Sequence, residues 1–400
     1  MMNILAINAG SSSIKFRLLA MPEETRLADG LLDGVGTAQA SLRYTCGDDP
    51  PIRQALGSVD HASGVDTVLT RLGAAVGGGT IHAAGHRVVH GGGEFHLPLP
   101  IDAHAIEQLE ASRALAPLHN AASLAGIRLI HTHYPGVPQV AVFDSAFHHD
   151  LPDRARWYAL PLALQREQGI RRFGFHGLSH RSVAVAAAGW LKRPLQDLRL
   201  ISLHLGNGAS ACAIRNGGSV DTSMGFTPLE GLVMGSRCGD LDPALPGHLG
   251  QQLGWDAARI DELLNRESGL RGLCGDSDMR RIEQRMAAGD TAARLAFDLF
   301  CYRIRKYIGA YWAVLNGLDA LIFTAGIGQH SATVRAAVCA ELDALGIGVD
   351  AERNTAAGGG IVDIGRDGMA VRVLVVPTDE ELEIARAAYG CLQRPARAPH

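Results

Sequence analysis

The chain has 400 residues, 47% of them hydrophobic, and a formal net charge of −4. That length suits two globular domains with complete cores, and that charge offers no basic field for nucleic acid. No apolar run approaches the roughly 20 residues of a membrane helix, since the longest candidate, 183–191, is short and alanine-rich.

The amino terminus reads as two strands, 3–7 and 14–21, joined by a tight turn over Asn8-Ala9-Gly10-Ser11-Ser12-Ser13. Small side chains let backbone N–H groups and hydroxyls approach an anion, so the turn suits phosphate oxygens. A plain serine-rich hairpin is the alternative. Lysine is scarce, and Lys15 stands inside this motif; Lys192 and Lys306 are the other two. Beyond it the chain is glycine-rich and weakly patterned to about residue 60. Residues 65–76 read as a helix, 81–89 as a strand running into a glycine run, and 103–114 as an amphipathic helix. Asn120 is placed to cap the next helix. A buried-type strand over 138–143 ends in Asp144, where a carboxylate can hold Mg²⁺, accept a proton or cap a turn. The turn-rich stretch 148–153 is a candidate domain boundary.

Residues 172–180 form a polar–aromatic loop with His176 between glycines, catalytic or structural. Metal binding by His176 and His180 lacks a third ligand. A strand over 198–205, the turn Gly206-Asn207-Gly208 and a strand from 211 repeat the first hairpin roughly 200 residues on. That suggests a duplicated half and a nucleotide cleft between two domains. Residues 221–243 lack periodicity and carry Arg237. Arg87 and Arg237 together could clamp a carboxylate and a phosphoryl group; singly, each reads as a solvated loop arginine. A strand over 318–324 leads into a glycine turn over 325–329, with Ser331 capping a helix. After a strand over 371–376, Thr378 and Glu381 suggest a capping box, with Glu380 in the first helical turn. There is no Walker A motif and no GxGxxG. Strands alternating with helices imply an α/β fold with mostly parallel sheets. The seven cysteines (Cys46, Cys212, Cys238, Cys274, Cys301, Cys339 and Cys391) are scattered and form no CxxC pair. Reduced thiols are therefore expected. With no basic n-region at the start, the expected location is cytoplasmic.

Taken together, NAGSSSIKF (8–16), GHRVVHGG (85–92), APLHN (116–120), FDSAFH (143–148), RRFGFHGLSH (171–180), HLGNGAS (204–210), DTSMGFTPLEGLVMGSRCGD (221–240) and PTDEEL (377–382) resemble the acetokinase family along nearly the whole chain. The resemblance implies the duplicated actin-like, sugar-kinase (ribonuclease H-like) ATPase fold. Its domains would be 1–148, with 382–400 packing back on it, and 149–381. It implies reversible transfer of the ATP γ-phosphoryl group to acetate by direct in-line attack, with Mg²⁺ (or Mn²⁺ in its place) and a homodimer. Asn8 and Glu380 would be associated with the metal. Lys15, Ser11 and Ser13 would contact nucleotide phosphates, and His204, Leu205, Gly206, Asn207 and Gly208 would form the second phosphate loop. Asp278, Met279 and Arg280, with Gly326, Ile327, Gly328, Gln329 and His330, would lie on the adenosine side. Arg87 and Arg237 would hold acetate and the moving phosphoryl. His176 would stabilise the transition state, with Asn207 beside it, and Asp144 resembles the family's essential acid. Val89, Leu118, Phe175 and Pro228 would form a methyl pocket.

Three departures stand out: Ala121 where the family usually has proline, Leu178 where it has threonine, and Gln329-His330 where it has Glu-Asn. The last makes ATP affinity or base preference the property in question. The rival readings are a propionate or butyrate kinase on the same scaffold and a non-catalytic actin-like ATPase module.

Overall fold

The computed structural model describes residues 1–10, 13–75, 80–91, 95, 97–111 and 117–394, with the backbone alone for 73–75 and 117–121. The chain divides into two units, Met1–Ala146 with Asp379–His400, and Phe147–Thr378.

The first unit is built on one sheet: β1 (Met2–Ala9), β2 (Ser13–Met21), β3 (Thr25–Asp33), β4 (Ala40–Cys46), β5 (Ile52–Gly57), β6 (Ala83–Val88), β7 (Leu99–Pro100) and β8 (Gln139–Phe143), in the spatial order 5-4-3-2-1-6-8-7. The second unit's sheet has β9 (Arg199–Leu205), β10 (Ala209–Arg215), β11 (Gly218–Thr222), β12 (Ala320–Thr324), β13 (Val362–Asp363) and β14 (Arg372–Val375), in the order 11-10-9-12-14-13. The sheets share a five-strand core. β3-β2-β1 and β11-β10-β9 are antiparallel meanders, and β1-β6-β8 and β9-β12-β14 are parallel. The duplication expected from two distant hairpins is thus visible strand by strand.

Each core closes by burying one face of its sheet under helices. In the first unit Leu5, Ile7, Ile14, Phe16 and Leu18 pack with Val65, Val68, Leu69 and Leu72 of helix His61–Ala75. In the second, Leu200, Cys212, Ile214, Ile322 and Leu374 pack with Val183, Ala184 and Ala187 of helix Gly177–Leu191. No described helix is long and apolar enough to cross a membrane. None of the seven cysteines is in a disulfide.

Several local expectations are corrected. The sheets are mixed, because the meanders add more antiparallel pairs than the helical crossovers add parallel ones. The weakly patterned stretch after the first hairpin holds three strands. Gly30, in that stretch, lies in β3 with Phe16 packed across it, where a Cβ would meet the Phe16 ring. The glycine turn over 325–329 is a short helix, Ala325–His330, while Ser331 does cap the next helix by accepting from the Val334 N–H at 2.9 Å. The last helix, Glu380–Leu392, is capped by Asp379, which accepts from the Leu382 N–H at 3.0 Å. Thr378 Oγ1 is buried with no hydrogen-bond partner among the described residues. Helix Pro117–His133 starts at its proline, a residue suited to the first helical position, so Asn120 sits in the first turn rather than at the cap.

Candidate active site

In the first unit, polar groups converge where β1, β6 and β8 end and helix Glu380–Leu392 begins. Asn8 closes β1 and is buried. Its amide nitrogen donates to Glu380 Oε2 at 2.7 Å and Glu381 Oε1 at 3.1 Å. Arg87, on β6, donates from Nη1 to Asn8 Oδ1 at 3.2 Å and from Nη2 to Asp144 Oδ2 at 2.7 Å, just past β8. This pair is nearly dry: the side chains are 12% and 1% exposed. Burial works against charge on Arg87, but Asp144, Glu380 and Glu381 outweigh it, so the guanidinium is held more firmly charged than usual. Glu381 has the opposite balance. Its burial, then the neighbouring Glu380 charge, raise its carboxyl above the ordinary value despite Lys15, Asn8 and Arg17.

The structure thus brings Asn8, Arg87, Asp144 and Glu380 into one bonded group. Val89 is buried just beyond β6. Lys15 is exposed on β2 and Ser13 is half-buried, its carbonyl accepting from the Gly10 N–H at 2.8 Å. Ser11 lies outside the described residues, and Leu118 lies in helix Pro117–His133 with its side chain outside them.

In the second unit the hairpin turn is the organising feature. The turn between β9 and β10 closes on itself through Gly206 N–H to Gly208 O at 3.0 Å. The loop bearing Arg237 lies against it, with the Gly235 N–H donating to Asn207 O at 2.9 Å. A Cβ at 235 would stand 1.9 Å from Asn207 Oδ1, so this approach needs glycine. The same loop is held from behind: the N–H groups of Ser268, Leu270 and Arg271 donate to the carbonyls of Ser236, Met234 and Gly235 at 2.9–3.1 Å. Arg237 is half-buried, with Nη1 3.3 Å from the Pro228 carbonyl. It forms no salt bridge with any described residue, and desolvation alone lowers its pKa.

His176 faces the same turn. A Cβ at Gly208 would be 3.4 Å from the His176 ring and 3.7 Å from Arg237 Nη1. The residue occupies left-handed backbone (φ 58°) ahead of helix Gly177–Leu191, a conformation uncommon outside glycine. Its ring stacks on that of His204, centroids 4.0 Å apart. Phe175 beside it is buried and Pro228 half-buried. Both nitrogens of His180 are taken by serine hydroxyls, at 2.6 Å (Ser202) and 2.8 Å (Ser210), which argues against a His176–His180 metal site. Among the described residues no cluster of three or more His, Cys, Asp or Glu could hold a metal by itself.

Beyond the turn opens a cavity of about 440 Å³. Gly206 and Asn207 line one side, and Gly326, Ile327 and His330 of helix Ala325–His330 another. Asp278, Met279 and Arg280 complete the expected wall, Asp278 capping helix Met279–Ala287 by accepting from the Arg280 N–H at 3.0 Å. Of the pair that departs from the family pattern, His330 lines this cavity and Gln329 does not. Gly328 is buried, and the Gly328 and Gln329 carbonyls accept instead from the buried Arg335. Leu205 is buried in the sheet. Sequence reasoning missed Ser277 and Glu283 on the wall. Glu283 was within reach, one helical turn after Met279 on the same face.

The family model of the acetokinase family matches residues 3–386. The chain belongs to the acetokinase family. It is 47% identical over 399 residues to the acetate kinase of Helicobacter acinonychis, covering 98% of this chain and all of that one. It is 49% identical over 395 residues to that of Coprothermobacter proteolyticus, covering 97% of this chain and 98% of that one. Among solved structures, Porphyromonas gingivalis acetate kinase superposes with a TM-score of 0.87 at 40% identity, and a propionate kinase from Francisella tularensis with 0.89 at 39%. Both alignments cover 98% of this chain and 100% of the other. The acetokinase fold is thereby established. It does not by itself choose the acid.

Proposed function

We propose that this acetokinase-family protein phosphorylates acetate with ATP, giving acetyl phosphate and ADP, and runs in both directions. The observation that carries the reading is Arg237. It is a half-buried guanidinium with no carboxylate partner among the described residues, placed beside His176 and a phosphate-type turn that borders a nucleotide-sized cavity. Such a cation suits an anion that arrives and leaves. The near-full-length relatives named acetate kinase support acetate as the acid.

Phosphoryl transfer needs positioning and charge stabilisation more than covalent chemistry. In the second unit, Asp278, Met279, Ile327 and His330 would hold the nucleoside, and the 206–208 turn its phosphates. Arg237 and His176 would meet the oxygens of the moving phosphoryl. In the first unit, Arg87, oriented by Asp144, would hold the acetate carboxylate. Val89 and Leu118 of the same unit would receive its methyl group. Asn8 and Glu380 offer only hard oxygen donors, and few of them. That fits Mg²⁺, which keeps several waters and takes most of its ligands from phosphate. Magnesium, when bound, would neutralise charge on the β- and γ-phosphates. An exposed apolar stripe on helix Thr291–Leu315 (Leu295, Leu299 and Tyr302) supports a homodimer; a monomer mass in light scattering would remove that part.

A coupled assay over formate, acetate, propionate and butyrate tests the function. ADP should form only with Mg²⁺ and a short carboxylic acid together, fastest with acetate. ADP release independent of the acid would refute the kinase reading, and a preference for propionate would replace the substrate.

A further inference from the structure

The geometry points to a dedicated hydrogen-bond chain that sets the tautomer of His176: Ser202 donates to His180, His180 to Ser210, and Ser210 to His176, holding the His176 proton on Nε2. The inference rests on the reading of His176 as a donor to the phosphoryl oxygens. It assigns positioning roles to three residues which that reading leaves unused.

Ser210 Oγ lies 2.9 Å from His176 Nδ1 and 2.8 Å from His180 Nε2. A hydroxyl has one proton, so it donates to one ring and accepts from the other. The far nitrogen of His180, Nδ1, lies 2.6 Å from Ser202 Oγ. Ser202, His180 and Ser210 are each 0% exposed, so bulk water does not compete for these contacts. Burial, with His148 and His204 nearby, keeps His180 far below its ordinary pKa; it is neutral, with one N–H and one bare nitrogen.

With His176 neutral, these constraints leave two self-consistent directions. In one, Ser202 O–H donates to His180 Nδ1, His180 Nε2–H to Ser210, and Ser210 O–H to His176 Nδ1. His176 Nε2 then carries its proton. In the other every bond reverses and His176 Nε2 presents a lone pair. A lone pair facing an anionic phosphoryl oxygen is repulsive, and an N–H is not. A donor role therefore selects the first direction. In a functional histidine the proton on one nitrogen is set by the partner of the other.

The local sequence builds the chain. His176 and His180 are four residues apart, one helical turn. Ser202 pairs with Cys212, and His204 with Ser210, in the β9–β10 register, so Ser202, His204 and Ser210 share one face of the sheet. Helix Gly177–Leu191 supplies His180 to that face, and Ser179, whose Oγ lies 2.8 Å from His204 Nδ1. His204 stacks on the His176 ring and fixes its plane.

The test is NMR of the full-length protein labelled with ¹⁵N-histidine, at a pH where His176 is neutral. Two-bond correlations read each ring's tautomer, and loss of signals in His176→Gln assigns His176. The wild type should show a protonated Nε2 and a bare Nδ1. Ser210→Ala should release that preference and lower kcat by about 10–100-fold, the usual cost of losing an outer partner of a functional histidine. KM for ATP and acetate should stay within about threefold, and Ser210→Thr, which keeps the hydroxyl, should recover most of the rate. If Ser210→Ala does not fold, the wild-type tautomer decides alone. A wild-type His176 protonated on Nδ1, or a folded Ser210→Ala protein with unchanged tautomer or unchanged kcat, overturns the chain. Absence of acid-dependent ADP formation would instead overturn the kinase reading, leaving the tautomer to judge the hydrogen bonds.

Discussion

Arg87 and Arg237 are both expected to carry charge for the reaction, yet their surroundings predict unequal effects on stability. Arg87 is paired with Asp144, whose side chain is 1% exposed. Arg87→Ala would remove the guanidinium that pairs with that buried carboxylate, and breaking a buried pair from one side costs about 3–5 kcal/mol. At roughly 2–4 °C per kcal/mol for a unit of this size, Tm should fall by about 6–20 °C. Arg237 has no carboxylate partner among the described residues, and burial already works against its charge. Arg237→Ala strands nothing, so Tm should move by no more than about 2–4 °C, the equivalent of ~1 kcal/mol. Its effect should fall on kcat, by about 10²–10³, the cost of losing one donor to developing charge. Arg237→Lys should recover little, because the planar fork is lost. Asp144→Ala added to Arg87→Ala should return part of the lost stability and none of the activity. Calorimetry and the coupled assay on the same preparations check all of this. Equal Tm losses for the two single variants, or near-normal kcat for Arg237→Ala, would refute the assignment.

Two further outcomes are expected. Glu381 has a folded pKa raised by burial and by Glu380. Such a carboxyl favours the fold fully only below its unfolded value of about 4.3, and that contribution is lost as pH rises through the folded value. Glu381→Gln should therefore gain in Tm over the wild type as pH rises from 4 to 8; an offset that does not grow with pH would sink the idea. Val89 is buried two residues after Arg87 in sequence. If it walls the acid pocket, acetate should exceed propionate in kcat/KM by about 10–200-fold. Val89→Ala should narrow that ratio with KM for ATP unchanged. A fixed ratio with lower Tm would make Val89 a core residue.

The residues legible in the sequence were those whose chemistry is announced by an unusual local pattern. Asn8 after an apolar strand, His176 between glycines and Arg237 in an aperiodic loop could each be singled out. What brings them their partners is long-range pairing, which spacing does not encode. Glu380 and Glu381 meet Asn8 across some 370 positions. Ser210 reaches His176 because a strand register places it there. The strands before residue 60 were hidden for a different reason: a glycine such as Gly30 makes room for Phe16, a tertiary demand that weakens the local pattern. Thr378 and Glu381 offered plausible capping chemistry, and only the backbone path shows that Asp379 accepts the N–H.

The repeated five-strand core supplies two corresponding strand pairs, β1–β2 and β9–β10, and their neighbours separate their tasks. The β1–β2 hairpin sits with Asp144 and with carboxylates from the last helix; Asn8 and Asp144 hold Arg87 in place, and the carboxylates offset part of its charge. The β9–β10 turn sits with backbone groups, serines and histidines, which hold Arg237 and His176 without neutralising either. An ion-paired arginine is already oriented, but part of its field is spent on its partner. That suits holding a substrate carboxylate in one pose through the reaction. An arginine without a carboxylate partner keeps its full field for charge that appears only as the phosphoryl group moves, and that difference between ground and transition states is what accelerates a reaction. The duplicated scaffold would then have split one electrostatic task into a static half and a responsive half. The split follows from which residues surround each strand pair.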